Sequence, residues 1–319
     1  MDTNNKFSRR AVLKASAAGV AVTALPRLAF AQENGEIAIG VMGPYTGPSS
    51  RSGDEFKRGV QLAIEHAKKA GELPLKVDGK SADVKVVWVD EQSSPEKAVK
   101  ATLDAIEREK VKFFVGGFSS AVALAVMDVE APHKIIHLGH TGEAQTVSEK
   151  VNSDPKKYAG WFKGWPAPPV FAGRYGPMLS GLIENGSWKP ANRTAAIIVE
   201  DTDFGRGLGQ AMFDSLKEAG FDPLPYDVAP ADQTEFTPLL IKYRARNVSL
   251  VAMTFTGSVS ASNFVKQFAS QRLKALLVGH GLGWFGEWYE LTGKASNYVI
   301  AADSPRAITD DQKAWIAEY

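Results

Sequence analysis

The chain has 319 residues, with 37 basic and 36 acidic side chains, a formal net charge of +1 and no cysteine. Without cysteine it has no disulfide, thiolate metal site, iron–sulfur cluster or cysteine nucleophile. The small net charge gives no basic field of the kind that recognises nucleic acid or anionic lipid, so we expect neither as a partner.

The first 31 residues have the pattern of a twin-arginine export signal. Arg9 and Arg10 precede an apolar run at residues 15–25, and residues 29–31, Ala-Phe-Ala, supply a small-x-small cleavage pattern. The run is shorter than the roughly twenty residues that span a bilayer, which favours a removed signal over an anchor. The alternative is a disordered basic tail with a chance arginine pair. We predict export to the periplasm by the twin-arginine route, leaving a mildly acidic mature chain.

From residue 36 onward, short β-rich apolar runs alternate with segments of helical periodicity. In the first half, the predicted strands are 37–41, 84–89, 111–115 and 135–138. The predicted helices of this half are 56–67, 95–109 and 119–129, the second of which opens with a serine cap and a proline.

The periodicity breaks between residues 142 and 169, where prolines and an aromatic cluster, residues 158–165, occur together. Proline at this density predicts that the chain crosses between lobes here. For the aromatic cluster we favour packing at the lobe boundary over lining a pocket. The alternation then restarts, with predicted strands at 195–199, 224–228, 250–255 and 275–279. The predicted helices of the second half are 173–184, 207–219, 236–245, 259–271 and 284–291.

Two runs of strand–helix alternation predict an α/β fold with two doubly wound parallel-sheet lobes. We place lobe 1 at residues 32–160, lobe 2 at residues 161–296 and a return to lobe 1 at residues 297–319. Parallel sheets of this kind bind ligands where loops leave the carboxyl ends of the strands.

The loops at the predicted strand ends are rich in glycine, hydroxyl and aromatic residues. After the third strand, Ser119 and Ser120 stand where a helix begins, so their hydroxyl and N–H groups are available to an anion such as a carboxylate. A plain helix cap explains the same residues equally well. Together, the loops at 116–120, 139–142, 200–205, 254–258 and 279–282 indicate a small-molecule cleft between the lobes.

Sequence motifs for catalysis are missing. The chain has no Gly-x-Ser-x-Gly elbow, phosphate-binding loop or His-Glu-x-x-His site, so we expect a binding protein without a cofactor and not an enzyme. His137 and His140 are three residues apart across a strand end, which turns them to opposite faces and argues against a metal site. His140 is equally well interpreted as a cleft residue or a surface loop residue.

Several loose motifs occur in an order that resembles the type I periplasmic solute-binding proteins of ABC transporters, in particular the leucine/isoleucine/valine-binding branch. They are Gly43-Pro44-Tyr45-Thr46-Gly47-Pro48, Gly53 to Gly59, Asp90 to Pro95, Val199 to Gly207 and Phe236 to Asn247. The resemblance covers essentially all of the chain after residue 31. It implies a two-lobed, hinged, monomeric receptor that closes on one small solute and presents it to a membrane permease.

Carried over by position, the resemblance implies that a solute carboxylate meets Ser120, Gly139 and Thr141. Phe204 stands where the family commonly has a tyrosine, Thr256 lies near another aromatic contact position, and Ser52 lies where the first loop reaches the ligand. The complete predicted ligand-binding set is Ser52, Phe118, Ser119, Ser120, Gly139, His140, Thr141, Phe204, Thr256 and His280.

One departure from the family leaves the solute open. Amino-acid binders of this branch usually hold the ammonium group with an acid on the loop after the last strand of lobe 2, where this chain has Gly279-His280-Gly281. Either another acid substitutes or the solute has no amine; the candidate acids are Glu200, Asp201, Asp203 and Glu287. A branched-chain or other apolar amino acid is the default solute. The alternatives are an aromatic or aliphatic carboxylate without an amine, an exported sensor, and an exported enzyme on the same fold.

The predicted strand 298–302 and helix 310–318 are the last elements of the chain. The resemblance implies that further helices and strands of the first lobe, with the final hinge strand, are missing. We therefore expect exposed apolar surface on that lobe.

Overall fold

A computed structural model describes residues 35–139, 142, 144–282, 288–302 and 309–318. The predicted signal lies outside these residues. The described chain contains twelve strands in two sheets: β1 Glu36–Gly43, β2 Leu75–Val77, β3 Lys80–Asp90, β4 Phe113–Gly116, β5 Ile136–Gly139, β6 Trp161–Lys163, β7 Thr194–Glu200, β8 Asp222–Pro223, β9 Asp227–Ala229, β10 Leu250–Thr254, β11 Leu276–His280 and β12 Ile300–Ala302.

The first sheet has the order β2-β3-β1-β4-β5-β6, and the second has the order β12-β11-β10-β7-β8 with β9 also paired to β7. All pairs are parallel except β2–β3. An inner strand of the second sheet, β7, is buried along almost its whole length because helices cover both faces. The structure is therefore an α/β fold with two parallel-sheet lobes, as the alternation predicted.

The helices connect the strands and cover the sheets. Within the described residues they are α1 Ser50–Lys69, α2 Pro95–Glu107, α3 Ser120–Glu130, α4 Gln145–Ser153, α5 Pro168–Ala172, α6 Tyr175–Glu184, α7 Asp203–Glu218, α8 Thr237–Ala245, α9 Ser258–Gln271, α10 Trp288–Thr292 and α11 Asp310–Glu318. No helix in this part of the chain is long and apolar enough to cross a membrane.

The segment from residue 142 to 169 differs from its prediction. It contains α4, β6 and the start of α5, whose Pro168 and Pro169 occupy the first turn, where proline has no intrahelical hydrogen bond to lose. Because β6 pairs with β5 in the first sheet, the predicted lobe boundary at residue 161 is too early.

Two of the four aromatic side chains of the predicted cluster pack in the core, and a third, Phe162, is exposed. Tyr158 and Trp161 are buried in the core, and the Trp161 ring lies 4.1 Å from the ring of His137. His137 Nδ1 is 2.9 Å from a carboxylate oxygen of buried Glu130, which gives this histidine a structural environment.

The last described elements divide between the two lobes. β12 pairs in parallel with β11, so residues 300–302 belong to the second sheet and not to a return to lobe 1. The following helix, α11, reaches α1 of the first lobe, where Glu318 accepts a hydrogen bond from Lys69 and pairs with His66.

A row of apolar side chains crosses one face of the first sheet in register. Val41 of β1 lies between Trp88 of β3 and Val115 of β4. Val115 is next to Leu138 of β5, and Leu138 is next to Phe162 of β6. Val41 is buried, but Leu138 is 53% and Phe162 52% exposed. The first lobe therefore has an apolar row that is exposed at Leu138 and Phe162.

Candidate functional site

A cavity of about 210 Å³ lies between the two lobes at the carboxyl ends of the strands. Each lobe contributes three loops, which follow β1, β3 and β4 in the first lobe and β7, β9 and β10 in the second. The lining residues are Pro48, Ser49, Ser93, Pro95, Phe118, Ser119, Ser120, Ala121, Glu200, Thr202, Phe204, Ala231, Asp232, Thr256 and Gly257. A crevice at this edge of two parallel sheets is the usual ligand position of doubly wound folds.

On the first-lobe wall, an internal carboxylate holds the loop that leads into α3. Glu91 is 0% exposed, and its two oxygens accept hydrogen bonds from the backbone N–H groups of Phe118, at 3.1 Å, and Ser119, at 3.4 Å. Burial raises the pKa of Glu91 to about 7, against the opposing effect of these two hydrogen bonds. Of the two N–H groups that we expected to receive a solute anion, that of Ser119 is therefore already engaged by Glu91.

Ser120 retains a donor for a solute. Its hydroxyl oxygen accepts a hydrogen bond from the backbone N–H of Ala144 at 3.0 Å, which leaves the hydroxyl hydrogen to be donated. The first-turn N–H groups of Ser120 and Ala121 have no acceptor within the helix, since the first N–H groups of any helix lack one. This end of α3 is thus the donor-rich wall of the cavity.

On the second-lobe wall, Glu200 ends β7 and is 1% exposed. One carboxylate oxygen, Oε2, accepts from the backbone N–H of Thr256 at 2.7 Å and from its hydroxyl at 2.8 Å. The other, Oε1, accepts from the hydroxyl of Thr202 at 2.9 Å. Burial raises the pKa of Glu200, while these three hydrogen bonds oppose the rise.

The two lobes touch directly beside the cavity. The hydroxyl of Ser49, the residue before α1, donates to the backbone carbonyl of Thr256 at 3.4 Å. Because Thr256 is itself held by Glu200, the contact joins the start of α1 in one lobe to the loop after β10 in the other. Breaking this long, neutral hydrogen bond costs little, so it permits the lobes to separate.

Apolar side chains complete the cavity. Phe118 enters from the first lobe and Phe204 from the second, and both are buried. Behind Phe204, the ring of His280 lies 6.0 Å away and stacks on Phe171 at 4.8 Å. This packing holds the Phe204 ring at the wall, so the cavity presents an apolar surface next to hydroxyl and carboxylate groups.

The structure brings together half of the predicted set. Phe118, Ser119, Ser120, Phe204 and Thr256 all line the cavity.

Three other predicted residues do not line the cavity. Ser52 is buried in α1, where its N–H bonds to the carbonyl of Ser49; since α1 begins at residue 50, the serine that reaches the cavity is Ser49. Gly139 pairs within the first sheet, and His280 supports Phe204 from behind. His140 and Thr141 lie outside the described residues.

Sequence reasoning missed Ser49 and the structural role of Glu91. Both are explained by their places in the fold. Ser49 directly precedes a helical segment, and Glu91 follows a strand that neighbours β1, which in turn neighbours β4. Because parallel strands bring their loops to one edge, Glu91 reaches the loop after β4, which is two strands away from β3 in the sheet.

Three of the four acids proposed to replace the family's ammonium partner are described in the structure, and of these three only Glu200 is buried and lines the cavity. Asp201 is exposed and pairs with Arg206 at 2.8 Å, and Asp203 is not among the lining residues. Glu287 lies outside the described residues. Within the described ranges, no group of three or more histidine, aspartate or glutamate side chains could hold a metal ion.

Comparison with known proteins agrees with this geometry. The sequence profile of a family described as periplasmic binding protein matches residues 36–319. The chain belongs to the periplasmic binding protein family. Among curated relatives of this periplasmic binding protein, the Leu/Ile/Val-binding protein homolog 3 of Brucella melitensis is 24% identical over 249 residues. The match covers 76% of this chain and 61% of that relative, so the chain spans about three fifths of its length.

Solved structures with the same fold hold different solutes. An ABC-transporter solute-binding protein of R. palustris in complex with benzoate has a TM-score of 0.71 at 20% identity, covering 89% of this chain and 73% of that chain. A branched-chain amino acid transporter substrate-binding protein of Streptococcus pneumoniae in complex with isoleucine also has a TM-score of 0.71, at 18% identity, covering 89% and 77% of the two chains. At such identities the likeness establishes the fold of this periplasmic binding protein. It does not identify the solute, which has to be argued from the residues of the cavity.

Proposed function

We propose that this periplasmic binding protein is the solute receptor of an ABC importer and binds a branched-chain or other apolar amino acid between its lobes. The observation that carries the proposal is the cavity itself. It is walled by both lobes and combines hydroxyl donors, two phenylalanines and one buried carboxylate. Its volume, about 210 Å³, suits a single small solute, being smaller than the roughly 300–1,000 Å³ of sites for drug-sized ligands.

Binding would work by closure of the lobes. A solute carboxylate accepts hydrogen bonds from Ser120 and the first turn of α3, while the side chain packs between Phe118 and Phe204. A solute that contacts both walls stabilises the closed arrangement over the open one, and a membrane permease distinguishes the two. The proposed export by the twin-arginine route would deliver the receptor to the periplasm, where it would act as a monomer.

The second candidate function is a receptor for an aromatic or aliphatic carboxylate without an amine. The observation that favours it is the R. palustris relative in complex with benzoate, whose fold this chain shares. The two candidates differ in what Glu200 would face, since a benzoate-type acid offers no cation to a buried carboxylate.

A thermal-shift screen of the protein against amino acids and small carboxylates tests the proposal. A solute that binds only the folded state at about 100 times its dissociation constant stabilises the protein by about 2.7 kcal/mol, which raises the midpoint temperature by several degrees. We expect leucine, isoleucine or valine to raise it. A screen in which no amino acid and no small carboxylate raises the midpoint would contradict a solute-receptor function.

A further inference from the structure

Glu200 stands out because it is a buried carboxylate on the cavity wall without a cation beside it. All three of its hydrogen-bond donors, the hydroxyl of Thr202 and the N–H and hydroxyl of Thr256, are neutral. No described lysine, arginine or histidine forms an ion pair with it. A buried carboxylate is costly in free energy unless a positive charge or enough hydrogen bonds compensate for lost water.

The hydrogen bonds of Glu200 leave one acceptor position open. A carboxylate has about four lone-pair positions, two on each oxygen. Oε2 uses both of its positions on Thr256, while Oε1 uses one position on Thr202. One lone-pair position of Oε1 therefore remains, and a further hydrogen-bond donor can occupy it.

Comparison with Glu91 separates a structural carboxylate from one that faces a solute. Both acids are buried and both hold the loop that precedes a helix, α3 in one lobe and α9 in the other. Glu91 does not line the cavity, whereas Glu200 does. A structural role alone does not require the second carboxylate to form part of the wall.

The other acid on the wall, Asp232, is exposed. Water screens an exposed carboxylate, so its ion pairs contribute little, typically about 0–1 kcal/mol. Glu200 lies in a desolvated position where a charge-assisted hydrogen bond is stronger. The buried acid is thus the one able to select for a cationic group.

Resting on the proposed function, we infer that Glu200 is the specificity-determining residue for the solute's amine, and that its Oε1 accepts a hydrogen bond from a primary ammonium group. The solute class is then an amino acid whose carboxylate meets the first turn of α3 and whose ammonium meets the end of β7. A solute with the same skeleton but no amine leaves the Glu200 carboxylate buried without a cation beside it.

The test compares leucine with 4-methylpentanoate, which is leucine without its amine, by calorimetric titration of the protein. We expect leucine to bind at least about 100-fold more tightly, because an uncompensated buried charge is costly. Glu200→Gln keeps an oxygen that accepts from Thr256 but removes the charge and turns an amide N–H toward the amine. In this variant the preference for leucine should fall to less than about 10-fold.

Two further variants sharpen the test. Asp201→Asn changes the exposed neighbouring acid and should preserve the preference for leucine. Asp232→Asn changes the exposed acid on the wall, and a larger loss of preference there than in Glu200→Gln would overturn the inference. Loss of affinity for both solutes by the same factor in Glu200→Gln would also overturn it, since that result indicates a structural role.

The wild-type protein alone distinguishes failure of the inference from failure of the proposed function. Binding of 4-methylpentanoate or benzoate as tightly as leucine would overturn the role of Glu200 while leaving a solute receptor. Absence of binding to leucine, isoleucine, valine and both of these acids would overturn the receptor function and the inference together. These outcomes do not depend on whether the Glu200→Gln variant folds.

Discussion

At the scale of single residues, Glu91 shapes the first-lobe wall by occupying N–H groups that a solute would otherwise use. Its carboxylate accepts from Phe118 and Ser119 at the entrance to α3, while Asp90 beside it adds a repulsive charge. Burial raises the pKa of Glu91 to about 7, so this acid holds a proton over a pH range in which an exposed glutamate has lost it.

This shift predicts a pH dependence of stability. Between about pH 4.5, where the unfolded chain loses this proton, and about pH 7, the folded state holds more protons than the unfolded state, so raising the pH lowers the free energy of unfolding. The contribution is about 3 kcal/mol, fully present below this window and lost above it. Glu91→Gln cannot ionise and should lack this fall. Urea unfolding at about pH 5 and about pH 8 measures it.

Glu107→Gln, a change of an exposed acid on α2, is the matched control and should keep the wild-type pH dependence. An equal fall in stability for the wild type and for Glu91→Gln would show that Glu91 does not hold its proton in the folded state.

Several site residues were predictable because their signals are local. Ser119 precedes α3, Ser120 is its first residue, and Phe204 lies in the first turn of α7 soon after an apolar strand, so strand-end position alone selects them. The interaction of Glu91 with the loop after β4 was not predicted, because it depends on strand order in the sheet, which a single sequence does not state. Ser49 was missed because helix α1 begins six residues before its first clearly periodic residue, Phe56.

At the scale of elements, α6 and α7 pack closely through a glycine. A Cβ at Gly176 of α6 would lie 2.3 Å from the backbone carbonyl oxygen of Ser215 in α7 and 2.8 Å from the side chain of Ala219. The N–H of Gly176 also donates to the hydroxyl of Ser215 at 3.0 Å. In contrast, a Cβ at Gly181, in the same helix, would meet no atom within 4 Å.

Alanine substitutions at these two glycines should therefore have opposite effects. Gly176→Ala forces the helices apart and should lower the free energy of unfolding by about 1–3 kcal/mol. Gly181→Ala adds no contact but reduces the entropy of the unfolded chain. This substitution should raise the free energy of unfolding by about 0.5–1 kcal/mol. Urea unfolding of both variants measures the difference. Effects of the same sign would contradict the close approach of α6 and α7.

The longer elements were predicted well, whereas three of the shortest strands were not. Strands β1, β3, β7 and β10 and helices such as α7 and α9 have clear apolar patterns over many residues. The strands β2, β6 and β8 have two or three residues each, too few for a pattern, and they lie at sheet edges. Only their neighbours in the folded sheets define them.

At the scale of the whole molecule, the two lobes differ in how their sheets are covered. The second sheet is buried along β7 and β10, whereas the first sheet exposes Leu138 and Phe162 in one apolar row. Contiguous apolar surface of this kind is uncommon on a soluble monomer. The cavity lies at the carboxyl edge of both sheets.

The claim that one small solute binds in this cavity is tested most directly by calorimetric titration of leucine into the wild-type protein and into Ala121→Trp. Ala121 lines the cavity, so a tryptophan there occupies the space of the solute. Ala245→Trp, on the exposed surface of α8, is the matched control. We predict one leucine per chain for the wild type and for Ala245→Trp, and no measurable heat of binding for Ala121→Trp in its folded state. Equal leucine binding by folded Ala121→Trp, or none by the wild type, would contradict the account.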